Sequence, residues 1–195
     1  MNPPRFSIIL VDYQGATPDP ILLRGLDCIL AQTCKDFELL CYHNGPLLDE
    51  SILQPLKERG VEFRCMDKNY NDWGFESRSR GIREASGEYI IHFNSDNELV
   101  PQALEIVSKA IDTCKHPPIL VFQILTTTRG TRHLLTGNPP VVHNVDALQA
   151  VIKREIWLEN GGWVERTQTS DGEQIERFAR KYGFVAINGV LGEHH

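Results

Sequence analysis

No stretch of this chain approaches the roughly 18 consecutive apolar residues that a membrane-spanning helix needs. The opening Met1-Asn2-Pro3-Pro4-Arg5, followed by residues 6–11, is too short for a signal peptide. A soluble, cytoplasmic protein is expected. Positive charge is also scarce: 20 Lys and Arg against 26 Asp and Glu leave a formal net charge of −6. That balance argues against a general nucleic-acid binder, whose phosphate contacts want a basic surface. The five cysteines, Cys28, Cys34, Cys41, Cys65 and Cys114, are an odd number with no CxxC spacing, so neither a disulfide framework nor a zinc site is indicated. Reduced thiols are expected, with Cys28, Cys41 and Cys65 on apolar faces. There is no internal repeat and no low-complexity tract.

What is present is ordinary globular material: 195 residues, 41% apolar and 24% charged, enough for one substantial core and a single domain. Residues 6–11 form a β-branched apolar run that reads as a buried strand ending at Asp12-Tyr13-Gln14-Gly15. Asp19 and Pro20 suit a helix start, with Leu22, Leu26 and Ile29 on one face. Residues 37–42 are a second strand ending at His43-Asn44-Gly45-Pro46. Asp49 or Glu50 opens a short helix closed by Gly60, and residues 61–66 make a weaker third strand. Strand and helix alternate, which implies parallel pairing. Residues 67–75 read as a loop and residues 76–85 as a helix. Pro101 begins a helix with Leu104, Val107 and Ile111 on one face, and residues 119–125 are a further strand. Residues 126–142, with Arg129, Arg132 and His133, allow little beyond a hairpin. Residues 146–157 are expected to be helical. Ser170-Asp171-Gly172-Glu173 has the form of a capping box opening another helix, and residues 184–190 are a last strand.

The apolar run Tyr89-Ile90-Ile91-His92-Phe93 stops abruptly at Asn94-Ser95-Asp96-Asn97. In open α/β sheets ligands collect at the carboxyl ends of strands. Asp96 with its neighbouring amides offers hard oxygen ligands of the kind Mg²⁺ or Mn²⁺ prefers, although the same residues are also common turn formers.

Four segments read together resemble family-2 glycosyltransferases of the A-type fold. They are residues 6–11 with 26–33 and 36–38; Arg78-Ser79-Arg80-Gly81-Ile82 through Gly87-Glu88-Tyr89-Ile90; Phe93-Asn94-Ser95-Asp96-Asn97 with Leu99-Val100-Pro101 and Leu104; and Glu159-Asn160-Gly161-Gly162-Trp163 followed by Asp171 and Arg177. They cover most of the chain in the family's order. The resemblance implies a Rossmann-like mixed, mostly parallel α/β sheet flanked by helices, with residues 1–97 as a nucleotide-binding half and 98–195 as an acceptor-side half. It implies a metal-dependent, inverting hexosyltransferase that moves sugar from a nucleotide-diphosphate donor, UDP favoured over GDP, to a glycan or other hydroxyl acceptor. Mn²⁺ or Mg²⁺ would be the cofactor. Asp96 matches the family's metal-binding aspartate, Arg78 its arginine beside the nucleotide, and Asp171 its general base. As alternatives, Arg78 suits a solvated helix face, and Asp171 a carboxylate at a helix N-terminus.

The chain departs from that pattern in several places. Asn94 replaces the first aspartate of the DxD motif; an amide can bond a hydroxyl but supplies no charge. His43-Asn44 stand where an aspartate normally accepts the uracil N–H, a role open to the Asn44 carbonyl or to neutral His43. Asp12 and Tyr13 are the candidates for the base and ribose pocket, with Ser95 beside the diphosphate. The ending Glu193-His194-His195 falls where many such enzymes place a metal-binding histidine, so His194 is a candidate ligand; two adjacent histidines are also the pattern of a purification-tag remnant. Trp73 and Trp163 read as packing residues or as stacking faces for a sugar. A second hypothesis, motivated by the aspartates missing at 43, 44 and 94, is a catalytically weak relative that binds nucleotide or glycan. A nucleotidyltransferase is a remote third, because residues 12–19 contain no Lys or Arg to hold a triphosphate.

Overall fold

The computed structural model describes residues 3–13, 19–47, 50–128, 130–164, 166–167 and 169–195; the side chains of Tyr13, Asp19 and Thr128, and all of Asp49 and Arg129, lie outside that description. Strands β1 (Phe6–Tyr13), β2 (Phe37–Asn44), β3 (Phe63–Cys65) and β4 (Tyr89–Asn94) alternate with helices α1 (Asp19–Leu30), α2 (Leu53–Glu58) and α3 (Phe75–Glu84). All pairings among these four strands are parallel. The remainder is β5 (Asn97–Leu99), α4 (Ala103–Thr113), β6 (Ile119–Thr128), β7 (Thr131–Leu135), β8 (Ala150–Lys153), α5 (Arg154–Glu159), α6 (Ser170–Tyr182) and β9 (Val185–His194). The sheet order is β3-β2-β1-β4-β8-β6-β9-β5, with β7 paired to β6.

Alternation along β1 explains why both sheet faces are covered. Phe6, Ile8 and Leu10 point into a core with Leu22, Leu26 and Ile29 of α1, Leu56 of α2 and Leu104, Val107 and Ile111 of α4. Ile9 and Val11 point into a second core with Ile82 of α3, Trp157 of α5 and Phe178 of α6. A strand buried on both faces reads as a continuous apolar run, as β1 and β4 do.

Three expectations change. Residues 146–157 are not one helix: a 3-10 turn at Ala147–Gln149 leads into β8, whose Ala150-Val151-Ile152 fills the slot between β4 and β6, antiparallel to both. β-branched residues buried on both faces satisfy the sheet better than a helix surface. The capping box lies at this turn rather than at α6: the Asp146 side chain accepts from Leu148 N–H at 2.8 Å, and Gln149 Oε1 accepts from Asp146 N–H at 2.9 Å. At α6 the N-cap is Thr169, while Ser170 Oγ accepts from Thr167 N–H at 2.6 Å. Cys65 is exposed rather than on an apolar face, because β3 is a short edge strand; Cys28 and Cys41 are in the core as expected.

The last strand runs four residues further than the sequence pattern implied. Its end pairs antiparallel with β5, placing Asn97 opposite His194. That register carries the final histidines to the end of β4.

Candidate functional site

The carboxyl ends of β2 and β4, the loop 67–74 and the end of β9 enclose a cleft of about 550 Å³ lined by Asn44, Asn69, Asn71, Trp73, Asn94, Asp96 and His194. The β4 end is held in place from below. Gly25 of α1 is so close that a Cβ there would stand 2.5 Å from the Ser95 carbonyl oxygen. Ser95 N–H donates to the Val11 carbonyl at 3.2 Å, and the Ser95 side chain is buried. Asp96 is therefore presented from a turn braced against both β1 and α1.

Three acidic or basic groups meet at this turn. His194 Nε2 lies 3.8 Å from Asp96 Oδ2, and its Nδ1 donates to Asp146 Oδ2 at 3.1 Å. The hydrogen bond to Asp146 pushes the His194 imidazole up to about 9, burial opposing. Asp146 itself is held below the usual carboxylate range: burial acts to raise it, and the bond and charge of His194 outweigh that. Burial raises Asp96, with the His194 charge opposing. Asp96 Oδ1 is buried and finds no partner among the described residues. A carboxylate with one oxygen unpartnered among the described residues and the other facing an imidazole, whose second nitrogen is fixed by a carboxylate, is a donor pair for a divalent cation that displaces the proton on Nε2. No cluster of three or more His, Cys, Asp or Glu suited to a metal occurs among the described residues, so Asp96 and His194 fit only a cation that takes its other ligands from substrate and water.

Arg78 is buried, not on a solvated helix face. Its Nη1 donates to the Trp73 carbonyl at 2.6 Å and its Nη2 to Asn94 Oδ1. Asn94 thus faces a cation where the DxD pattern has an aspartate. Trp73 is 58% exposed at the cleft wall, whereas Trp163 is buried against Trp157, Phe75 and His92. Exposure separates the two tryptophans: Trp163 is packed in the core, and Trp73 stands at the cleft wall.

On the far side of the His194–Asp146 bond lies a second cavity of about 360 Å³, lined by Val142, His143, Val145, Asp146, Thr169, Asp171 and Gly172. Asp171 sits in the first turn of α6, where the Ala147 backbone amide favours its ionised form. Burial first, then the Asp146 carboxylate, push Asp171 up to about 6. The N-terminus of a helix favours the anion, so here desolvation wins over the dipole. The preceding segment is tied to the loop 67–74 and to α3: Arg166 bonds Asp72 Oδ2 at 3.0 Å and Glu76 Oε2 at 2.6 Å.

Asp12 and His43 are paired and buried, Asp12 Oδ2 to His43 Nδ1 at 3.0 Å. Asn44 lines the cleft; the Tyr13 side chain lies outside the described residues. The structure brings Asn44, Arg78, Asn94, Ser95, Asp96 and His194 to one region and Asp171 to its neighbour. Sequence reasoning missed Asp146, Asn69 and Asn71. The signal for Asp146 in the sequence is the spacing Asp146…Gln149, which has the form of a capping box.

A mixed α/β sheet with a polar, carboxylate-bearing cleft at the strand ends is the architecture of a nucleotide-binding α/β protein. The family described as Glycosyl transferase family 2 matches residues 7–136, more than half of the chain, and the chain belongs to that family. It is 29% identical over 90 residues to an uncharacterized glycosyltransferase of Rickettsia felis, covering 46% of this chain and 15% of the relative. Among solved structures it resembles S. aureus TarS 1-349 in complex with UDP (TM-score 0.74, 14% identity, 97% of this chain and 60% of that one). It also resembles the mannosyltransferase PcManGT of Pyrobaculum calidifontis in complex with GDP-Man and Mn²⁺ (TM-score 0.74, 15% identity, 98% and 57%). The chain thus spans about three fifths of these structures and a small part of the curated relative. The shared architecture is the glycosyltransferase A-type fold. No helix among the described residues is long and apolar enough to cross a membrane.

Proposed function

We propose that this chain transfers a sugar from a nucleotide-diphosphate donor, a UDP-sugar, to a hydroxyl of a glycan or other acceptor, with inversion at the anomeric carbon. The observation that carries this reading is the pairing of two cavities across the His194–Asp146 bond. One holds a cation-suited pair, and the other a carboxylate of raised proton affinity. On this reading the β1–β4 half binds the donor and the second half shapes the acceptor side. The five unpaired thiols suit a reducing cytoplasm.

Asp96 and His194 would hold Mn²⁺ or Mg²⁺, which would neutralise charge on the departing diphosphate. Asp146 keeps the His194 ring oriented with Nε2 toward Asp96. Arg78, buried beside Asn94, adds fixed positive charge near the same place. Asp171 is largely ionised at neutral pH. It takes the acceptor hydroxyl proton as that oxygen bonds the anomeric carbon and the bond to the diphosphate breaks. Trp73 offers its exposed ring to the donor sugar.

Asn94 and Asn44, amides where the family pattern has carboxylates, favour a second reading, a weak or inactive relative that binds nucleotide or glycan. A panel of nucleotide sugars, assayed with Mn²⁺ for thermal stabilisation and for release of the nucleotide diphosphate, separates the two. Release with steep Mn²⁺ dependence supports the transferase; binding without any release supports the binding module; neither binding nor release removes both.

A further inference from the structure

Four asparagines line the cleft, and three of them form a relay whose direction can be worked out. The Asn71 backbone N–H is a donor under all circumstances, and it points at the Asn69 side chain, 2.8 Å from Oδ1. That contact requires the oxygen of Asn69 there, not its NH₂ group. The same Asn69 Oδ1 lies 3.1 Å from the Asn44 side chain, so Asn44 must turn its Nδ2 donor toward it. The Asn44 carbonyl oxygen is left as the uncommitted group. It is buried, in a residue only 2% exposed, and it finds no partner among the described residues. Asn71 holds this arrangement with a backbone φ of 51°, a conformation that asparagine tolerates better than most residues. A buried acceptor without a donor is costly, and Asn44 sits on the cleft wall, so a ligand N–H completes it.

We propose that Asn69 is a specificity-positioning residue: it locks the Asn44 amide in one orientation, so that the cleft takes a nucleobase whose pairing-edge ring nitrogen carries a hydrogen and rejects one whose ring nitrogen there has a lone pair. Uracil and guanine carry that N–H; cytosine and adenine present an acceptor ring nitrogen instead. The inference rests on the nucleotide-donor reading above and adds what sets its base selectivity. His43, whose Nε2 is likewise buried without a partner among the described residues, is not the reader, because it does not line the cleft and its Nδ1 is held by Asp12.

The test compares binding of UDP, GDP, CDP and ADP with Mn²⁺ by calorimetry. The wild type is expected to hold UDP about 10- to 100-fold more tightly than CDP, a pyrimidine of the same size, as one mismatched buried hydrogen bond implies. Asn69→Ala frees the Asn44 amide to turn its NH₂ outward, and the UDP:CDP ratio should fall several-fold or more. Asn69→Asp still accepts from both Asn71 and Asn44, so it should keep the wild-type ratio even though its charge weakens both nucleotides. An unchanged ratio in Asn69→Ala, or an equal collapse in Asn69→Asp, overturns the relay. CDP or ADP binding the wild type as tightly as UDP and GDP overturns it without any variant. Binding of none of the four removes the donor reading itself.

Discussion

Replacing Asp171 by Asn removes one charge and keeps nearly the same side-chain shape, which separates the cost of the carboxylate from its use. A carboxyl moved from 3.8 to about 6 by burial and the Asp146 charge is ionised at neutral pH at a cost to folding of up to about 3 kcal/mol. The sign follows from proton binding. Below the lower value both folded and unfolded chains hold the proton, and Asp171 contributes nothing. Between the two the folded chain keeps a proton that the unfolded one has released, so this contribution to stability falls as pH rises. Above about 6 the full cost is present. Asp171→Asn should therefore match the wild type in urea unfolding near pH 4 and exceed it by roughly 1–3 kcal/mol near pH 7.5. The same variant should lose on the order of 10²–10⁴-fold in turnover while nucleotide affinity stays close to wild type. A stability difference that does not change with pH would refute the desolvated carboxylate, and undiminished transfer would remove Asp171 as the base.

Other perturbations probe the support around the site. Asp146→Ala releases the His194 ring and should weaken Mn²⁺-dependent nucleotide binding about 10- to 100-fold, read by titrating Mn²⁺ at fixed UDP; unchanged affinity would contradict the orienting role. Gly25→Ala places a methyl against the Ser95 carbonyl, which is backbone and cannot swing aside. It should lower both thermal stability and UDP affinity, and a variant that binds normally would show that the turn carrying Asp96 tolerates displacement. Trp73→Ala should leave stability within about 0.5 kcal/mol, as expected for an exposed side chain. It should weaken UDP-sugar binding by about 0.5–1.5 kcal/mol; equal affinity for the sugar nucleotide would exclude stacking.

The first half of the fold was legible because β1 and β4 are buried on both faces and because Gly60 and Gly87 follow the ends of the helices that precede β3 and β4. Phe6–Tyr13 and Tyr89–Asn94 read as strands from apolar content alone, and Asp96 followed as the residue at a strand end. Residues 146–157 were not legible. Val151 and Ile152 fit a helical face or a buried strand equally well over so short a run, and only the empty slot between β4 and β6 decides. Asp146 disappeared with that misassignment. His194 came from resemblance to a family rather than from any local pattern, since its place depends on a pairing with Asn97 nearly a hundred residues earlier. Asn69 and Asn71 lie in a loop without periodicity, where side-chain relays leave no trace in the order of residues.

The central claim is that Asp96 and His194 form a cation site serving a bound nucleotide diphosphate, and calorimetric titration of UDP into wild-type protein and Asp96→Ala, each with and without Mn²⁺, addresses it most directly. The wild type should bind UDP measurably only, or far more tightly, with Mn²⁺, and Asp96→Ala should lose that metal-dependent increment while remaining folded. Equal UDP affinity with and without the metal, or an Asp96→Ala variant that keeps the Mn²⁺ dependence, would contradict it.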